Sequence, residues 1–177
     1  DSLLVGAFSR TAPLPPPGDP LGVTPMEVEV DRIKCYDGNI RLVPNPKYDE
    51  IKLTLQTQGP NATGALPITR RPQEEHYMAA KGHNTRLQII QTLWRETRDP
   101  RFRAVLCLFY PWPGEAQVLA DHIGENENRG QMLFIEKALA LRTLRQTLEH
   151  ETGESLTQRD FARHLQDPDR KLGLSVS

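Results

Sequence analysis

Polar and apolar residues alternate through "VEVDRI", with Val28 and Val30 two apart and Ile33 following, which predicts a half-buried strand beginning near Glu27. Past the turn-forming "YDGN" and "VPNP", Tyr48, Ile51 and Leu55 fall three and four apart. That spacing predicts an amphipathic helix over 48–58, closed by Gly59-Pro60. "LPITRR" and "HYMAA" read as short strands joined by a polar turn. Leu87, Ile90 and Trp94 repeat at helical spacing in "NTRLQIIQTLWRET", and Asp99-Pro100 ends that helix. "FRAVLCLFY" is a continuous apolar run, the pattern of a strand covered on both faces. "PWPGEAQ" interrupts it, and a short helix is expected over 116–123.

The longest helical pattern runs from 129 to 149. Leu133, Leu141, Leu144 and Leu148 share one arc while Met132, Ile135 and Leu139 form a second stripe, so this helix is expected to pack from two sides. In "SLTQRDFARHL", Ser155 or Thr157 can cap a last helix, with Asp160 three residues beyond Thr157 and with Leu156, Phe161 and Leu165 as its apolar contacts. Strands alternating with helices, then helices alone, predict an α+β chain: a mixed α/β domain over 27–124 and a helical domain over 125–177. Residues 1–26 hold six prolines, including "PLPPPGDP", and read as a linker or disordered arm. The opening Asp1 and the closing "LGLSVS" lead us to expect an excerpt from a longer protein.

Charge changes this picture only locally. The 177 residues carry 22 basic and 23 acidic side chains, so no global field marks a nucleic-acid or membrane binder. Residues 64–103 are different, with eight basic against four acidic, and Arg70, Arg71, Arg101 and Arg103 are candidates to follow a polyanion backbone. No stretch approaches the about 20 apolar residues that span a bilayer. Cys35 and Cys107 lie far apart, and Cys107 sits in an apolar run where a buried, inert thiol is expected. Trp94 and Trp112 are read as packing residues.

Candidate chemistry gathers at two expected helix starts. In "KGHNTRLQ", Gly82 permits a tight turn, Asn84 or Thr85 can cap the following helix, and Arg86 lies in its first turn. A cation there opposes the helix dipole at a cost of a few tenths to about 1 kcal/mol, and a bound phosphate would relieve the opposition. "GENENRGQMLFIEKALA" repeats the arrangement, with Arg129 at the expected start of the long helix and Glu125 and Asn126 just before it. Glu125 would repel a phosphate directly, so its presence makes sense beside a divalent cation held by oxygen ligands. On this reading Arg86 and Arg129 converge on one polyphosphate.

These residues resemble the motifs of the ParB family of DNA-partition proteins, over about residues 27–177. That family carries an arginine-bearing glycine motif, usually Gly-Glu-Arg-Arg, at a helix start, followed by Glu-Asn-x-x-Arg and a later Glu. Here Gly82-His83-Asn84-Thr85-Arg86 occupies the first place, and Glu125-Asn126-Glu127-Asn128-Arg129 with Glu136 occupies the second. Asn39-Ile40-Arg41 resembles the family's Gln-Pro-Arg element, and "SLTQRDFARHL" the opening of its helix-turn-helix. The chain departs from the pattern where Asn84 and Thr85 replace arginines and where His83 and Asn39 stand for Glu or Gly and for Gln. The stretch around "HNTR" resembles the ParB-like proteins of integrating conjugative elements.

The resemblance implies a ParB/sulfiredoxin-like nucleotide-binding domain followed by the start of a helix-turn-helix. It implies CTP with Mg²⁺, bound by Arg41, Gly82, His83, Asn84, Thr85, Arg86, Glu125, Asn126 and Arg129, with Glu125 and Asn126 also serving the metal. It implies double-stranded DNA bound through Thr157, Gln158, Arg159 and Arg163, a homodimer that nucleotide closes into a clamp, a ParA-type ATPase partner, weak CTPase activity, and a cytoplasmic, nucleoid-associated location. The recognition helix would begin near the last residue present, so operator binding by residues 1–177 is expected to be weak. Two other chemistries compete. A ParB-like nuclease would recruit Asp121, His122, Glu125 and Glu127 around a metal. Sulfiredoxin-like chemistry would need a cysteine in the glycine motif, where this chain has His83.

Overall fold

The computed structural model describes residues 18–38, 43–129 and 132–166. Among them, strands β1 (Thr24–Glu29), β2 (Ile33–Lys34), β3 (Leu66–Thr69), β4 (Tyr77–Ala79) and β5 (Ala104–Phe109) form one mixed sheet in the order β1-β5-β3-β4-β2. β1 runs antiparallel to β5 with Val28 opposite Val105, and β3 runs parallel to β5 with Leu66 opposite Cys107. β4 is antiparallel to β3 and parallel to β2.

Helices α1 (Tyr48–Gln58) and α2 (Asn84–Thr97) supply the apolar side of a first core, where Leu55, Leu87, Ile90 and Leu93 meet Ile68 and Phe109 of the sheet. A second core joins α3 (Glu115–Asn128), α4 (Phe134–Thr152) and α5 (Gln158–Gln166) with Tyr36 and Met78. Side chains alternate along a strand. Tyr77 and Ala79 therefore enter the first core while Met78, between them, enters the second. The sheet is the wall between the two. None of the described helices is long and apolar enough to cross a membrane.

Both α1 and α2 match their expected bounds, and the Thr157 cap forms as expected. Thr157 Oγ1 accepts from the Asp160 amide at 3.2 Å and donates to Asp160 Oδ2 at 2.6 Å. Three expectations need correction. "VEVDRI" is not one strand: β1 starts at Thr24 and gives way to a 3-10 turn over Val30–Arg32. Val30 and Ile33, three apart, are both fully buried. A continuous strand would put them on opposite faces, whereas the three-residue period of a 3-10 turn aligns them.

β5 is buried on one face only. Val105, Cys107 and Phe109 enter the core, but Leu106 is 42% exposed. Among the described residues, none of β5 enters the second core. The long helix also begins later than its pattern indicates. Helix α3 continues through Gly124 to Asn128, and α4 starts at Phe134 behind the N-cap Leu133. Leu133 and Ile135 are about half exposed, so the two-sided packing expected for this helix does not extend to its first turn, and Ala140, Leu144 and Leu148 carry its burial. The expected division between residues 124 and 125 falls inside α3.

Candidate functional site

The turn that leaves β4 meets the C-terminal end of α3. Lys81 and Gly82 both have positive φ, 51° and 70°, and the His83 amide donates back to the Ala80 carbonyl at 3.3 Å. These are the φ signs of a type I′ turn, which glycine favours at the second position. Gly82 is needed for space as well. A Cβ built there would come 3.1 Å from Glu125 Cβ and 3.4 Å from Asn126 Oδ1. The glycine motif and the Glu-Asn-x-x-Arg motif, about forty residues apart in sequence, are thus in contact.

Arg129 closes that contact. Its Nη1 donates to the Gly82 carbonyl at 3.2 Å, its Nη2 lies 3.5 Å from His83 Nε2, and the same nitrogen sits 3.4 Å from Glu125 Oε2. Arg129 is the C-cap of α3, not the start of the next helix. A cation at a C-terminus favours the dipole. The dipole conflict expected at Arg129 is therefore absent, and its position needs no bound anion to explain it. His83 keeps its ring neutral, with a pKa pushed down to about 4 by burial and then by the charges of Arg129, Arg86 and Lys81. Arg129, Arg86 and Lys81 all act on this ring as cations.

Asn84 and Arg86 turn elsewhere. Asn84 was expected to cap α2 or to touch a ligand, but the N-cap is His83, without a side-chain bond. The Asn84 amide is instead consumed by the backbone of Tyr36, accepting from its N–H at 2.9 Å and donating to its carbonyl at 2.8 Å. Arg86 Nη2 donates to the carbonyls of Pro60, at 2.8 Å, and Gly64, on the loop between α1 and β3. Burial lowers its pKa, and its Nε and Nη1 have no hydrogen-bond partner among the described residues. Arg86 and Arg129 therefore hold different partners, and the convergence expected of them is reduced to their shared influence on His83. Thr85 is half-buried and accepts from Asn45 Nδ2 at 3.4 Å.

Two supports position this region, His122 and Arg71, and the sequence reading assigned each of them a different role, to a metal and to a polyanion. His122, 1% exposed, accepts from the Gly82 amide at 3.1 Å through Nδ1, and its Nε2 lies 3.2 Å from the Ala79 carbonyl. Its ring stacks on Tyr36 with centroids 4.5 Å apart. At the other end of α3, Arg71 bridges Glu115 at 2.7 Å and Asp37 at 2.6 Å. A Tyr before a turn and a His on an apolar helix face carry no spacing signal for the stacking, and Arg71 lies far in sequence from both of its carboxylates.

Glu136 is fully buried and accepts from the amides of Leu133 at 2.9 Å and Val43 at 3.2 Å, so the segment that follows Arg41 is tied to the start of α4. Arg41 itself lies outside the described residues. Thr157, just before α5, and Gln158, Arg159 and Arg163 on it are all exposed. The arginines expected to follow a polyanion are each paired with a carboxylate: Arg70 with Asp19, Arg71 with Asp37 and Glu115, Arg101 with Asp99 and Arg103 with Glu29. Cys107 is buried, with its thiol pushed up to about 12 by burial.

A divalent ion fits here only with help from a ligand. Among the described residues no three His, Cys, Asp or Glu side chains gather as a cage. Glu125 is half-exposed and meets Arg129 at 3.4 Å, while Asn126 is buried and has a partner. One carboxylate completed by phosphate oxygens is the usual provision for Mg²⁺. His122 is not available to a metal, because Gly82 already occupies its lone pair.

No protein-family model and no curated protein sequence matches the chain. Solved structures do. A pNOB8-like ParB N-domain aligns with a TM-score of 0.55 at 16% identity, over 86% of this chain and 60% of that one. Another crystal form of a pNOB8-like ParB N-domain aligns with a TM-score of 0.53 at 18% identity, over 74% and 48%. A C-terminally truncated ParB from Caulobacter crescentus, complexed to the centromeric parS site, aligns at 0.44 with 15% identity, over 84% and 68%. The chain has the fold of ParB N-domains, and it spans 48% and 60% of the length of the two N-domain structures.

Proposed function

We propose that this chain is the nucleotide-responsive part of a ParB-like partition protein, serving a chromosome, a plasmid or an integrating conjugative element. The observation that carries this reading is the meeting of Gly82 and His83 with Glu125 and Arg129, in a fold shared with ParB N-domains. A glycine turn beside a helix start, neighbouring cationic side chains and a half-exposed carboxylate would form a cradle suited to a metal–polyphosphate.

Within that cradle, Arg129 would neutralise phosphate charge and His83 would offer a neutral ring nitrogen to phosphate or base. Glu125 would hold Mg²⁺, with Asn126 orienting the same end of α3. Arg86 would act through charge alone, since its Nη2 is committed to the carbonyls of Pro60 and Gly64. Arg41 joins the set through the family motif. CTP with Mg²⁺ supplies the polyphosphate charge that draws the glycine turn, α3 and the segment before α4 together. That closure would lock two copies of the protein around double-stranded DNA, which Gln158, Arg159 and Arg163 would approach from α5, with a ParA-type ATPase as the motor partner.

Calorimetry with CTP, ATP, GTP and UTP in Mg²⁺ tests the reading. A clear preference for CTP is expected. Equal or absent binding of all four would remove the nucleotide switch and leave only the fold.

A further inference from the structure

The imidazole of His122 spans the glycine turn from behind. Gly82 N–H donates to Nδ1 at 3.1 Å, and Ala79 O lies 3.2 Å from Nε2. Only one tautomer satisfies both contacts. Nδ1 must carry the lone pair because the amide can only donate, and Nε2 must carry the proton because the carbonyl can only accept. An imidazolium, with two donors, would lose Gly82. The ring plane is fixed by Tyr36, stacked at 4.5 Å and 26°, and Tyr36 is held by both of its backbone bonds to Asn84.

The turn has reason to need such a brace. Lys81 is a non-glycine residue at φ 51°, a conformation that persists only where the surroundings impose it. Gly82 is gripped on both sides from the same helix, its N–H by His122 and its carbonyl by Arg129, about two turns further along the same face at the C-cap of α3. Its own amide is thereby withheld from any anion, so what the turn offers a ligand is position, not a backbone donor.

We propose that His122 is the positioning residue of this site, a neutral brace that fixes the Ala79–Gly82 turn against α3 and so sets where His83 and Arg129 face a bound nucleotide. The inference rests on the nucleotide reading for its consequence but not for its geometry, and the two can be tested apart. In the whole chain, NMR of the His122 ring nitrogens and hydrogen exchange at the Gly82 amide report the brace directly. His122→Gln keeps one acceptor and one donor, whereas His122→Leu keeps bulk and neither. Expected are an Nε2–H tautomer in the wild type, Gly82 protection retained in the Gln variant, and protection reduced about tenfold or more in the Leu variant. Affinity for Mg²⁺–CTP, measured below the unfolding transition of each variant, should follow the same order, with a loss of about tenfold for Leu that Gln restores.

An Nδ1–H tautomer, or Gly82 protection unchanged in the Leu variant, would overturn the brace. So would affinity that stays constant while protection is lost. If the wild type binds no nucleotide, the proposed function falls while the tautomer and the Gly82 exchange still decide the brace. Should the Leu variant fail to fold, the wild-type tautomer and the Gln comparison decide alone.

Discussion

Arg86 donates through Nη2 to the carbonyl of Pro60 at 2.8 Å, so a residue whose sequence context suggested a phosphate ligand is a clasp between α2 and the loop after α1. Arg86 is 5% exposed, and it also bonds Gly64 on the same loop. Removing it strands a carbonyl in a buried residue and opens a hole beside the sheet. Arg86→Ala should lower the unfolding free energy by about 3 kcal/mol. Arg86→Lys, with a single ammonium for two carbonyls, should lose about half as much. Urea unfolding monitored by far-UV circular dichroism measures both, and a neutral Ala variant would argue against the clasp.

Acid should weaken the fold through the same buried imidazole that braces the turn. The pKa of His122 is pushed down to about 4 by burial, with the Arg129 charge adding to the effect and the bond to Ala79 opposing it. Between pH 6.5 and 4 the unfolded chain binds a proton that the folded chain refuses, so stability falls as pH falls through that window. It is fully present above pH 6.5. The contribution is about 3 kcal/mol, from about 1.4 kcal/mol per unit. His83, depressed to about 4 as well, acts in the same direction. Thermal unfolding from pH 7.5 down to 4.5 should show a steeper decline for the wild type than for His122→Leu. Parallel declines would remove His122 as the cause.

Where punctuation was strong, the elements could be read from sequence. Gly59-Pro60 and Asp99-Pro100 end α1 and α2 where both actually stop. Gly124 misled. It read as a break, yet the helix passes through it, because a mid-helix glycine costs only about 1 kcal/mol. The burial of Ile123 and Asn126 on either side offsets that cost. Moving the boundary from Ile123 to Asn128 converts Arg129 from a first-turn residue to a C-cap, so the dipole argument drew attention to the right residue for the wrong reason. Arg86 failed differently. First-turn position says which end of a helix a side chain leaves, but not that a loop 26 positions earlier waits for it. His122 was legible only as an acidic neighbour's companion, since tautomer and stacking depend on Tyr36 and Gly82, both far away in sequence.

Gly82→Ala should be costly on two counts. Alanine at φ 70° bears a left-handed penalty of about 1 kcal/mol, and its Cβ would press on Glu125 Cβ at 3.1 Å. A total loss of about 2 kcal/mol in stability is expected, and the glycine turn must back away from α3. Nucleotide affinity should fall with it. Differential scanning calorimetry and titration of the same variant check both, and a variant with wild-type stability would show that α3 yields freely.

Glu136 joins two segments that flank the site. Its carboxylate is fully buried and accepts from Leu133 N–H at 2.9 Å and Val43 N–H at 3.2 Å. Glu136→Ala leaves both amides without that acceptor, and a loss of about 2 to 3 kcal/mol is expected. Hydrogen exchange should accelerate at Val43 before it does in α1 or α2, because only the local tie is cut. Exchange that rises evenly across the chain would instead indicate global destabilisation.

Glu125 and Arg129 should separate in their response to metal. Their side chains lie 3.4 Å apart, half exposed, on the last turn of α3. With Mg²⁺ absent, Glu125 faces a polyphosphate as a like charge, so Glu125→Ala should bind CTP as well as the wild type or better in EDTA. With Mg²⁺ present the same variant loses a ligand to the ion and should bind more weakly than the wild type. Arg129→Ala removes a charge-assisted donor and the support of the Gly82 carbonyl together. Its affinity should drop about tenfold to a hundredfold in either condition. Titrations of both variants in Mg²⁺ and in EDTA give the four values needed. Glu125 holds the ion only if its two curves cross the wild type's, and an Ala variant that weakens equally in both conditions would leave that carboxylate as nothing more than a partner for Arg129.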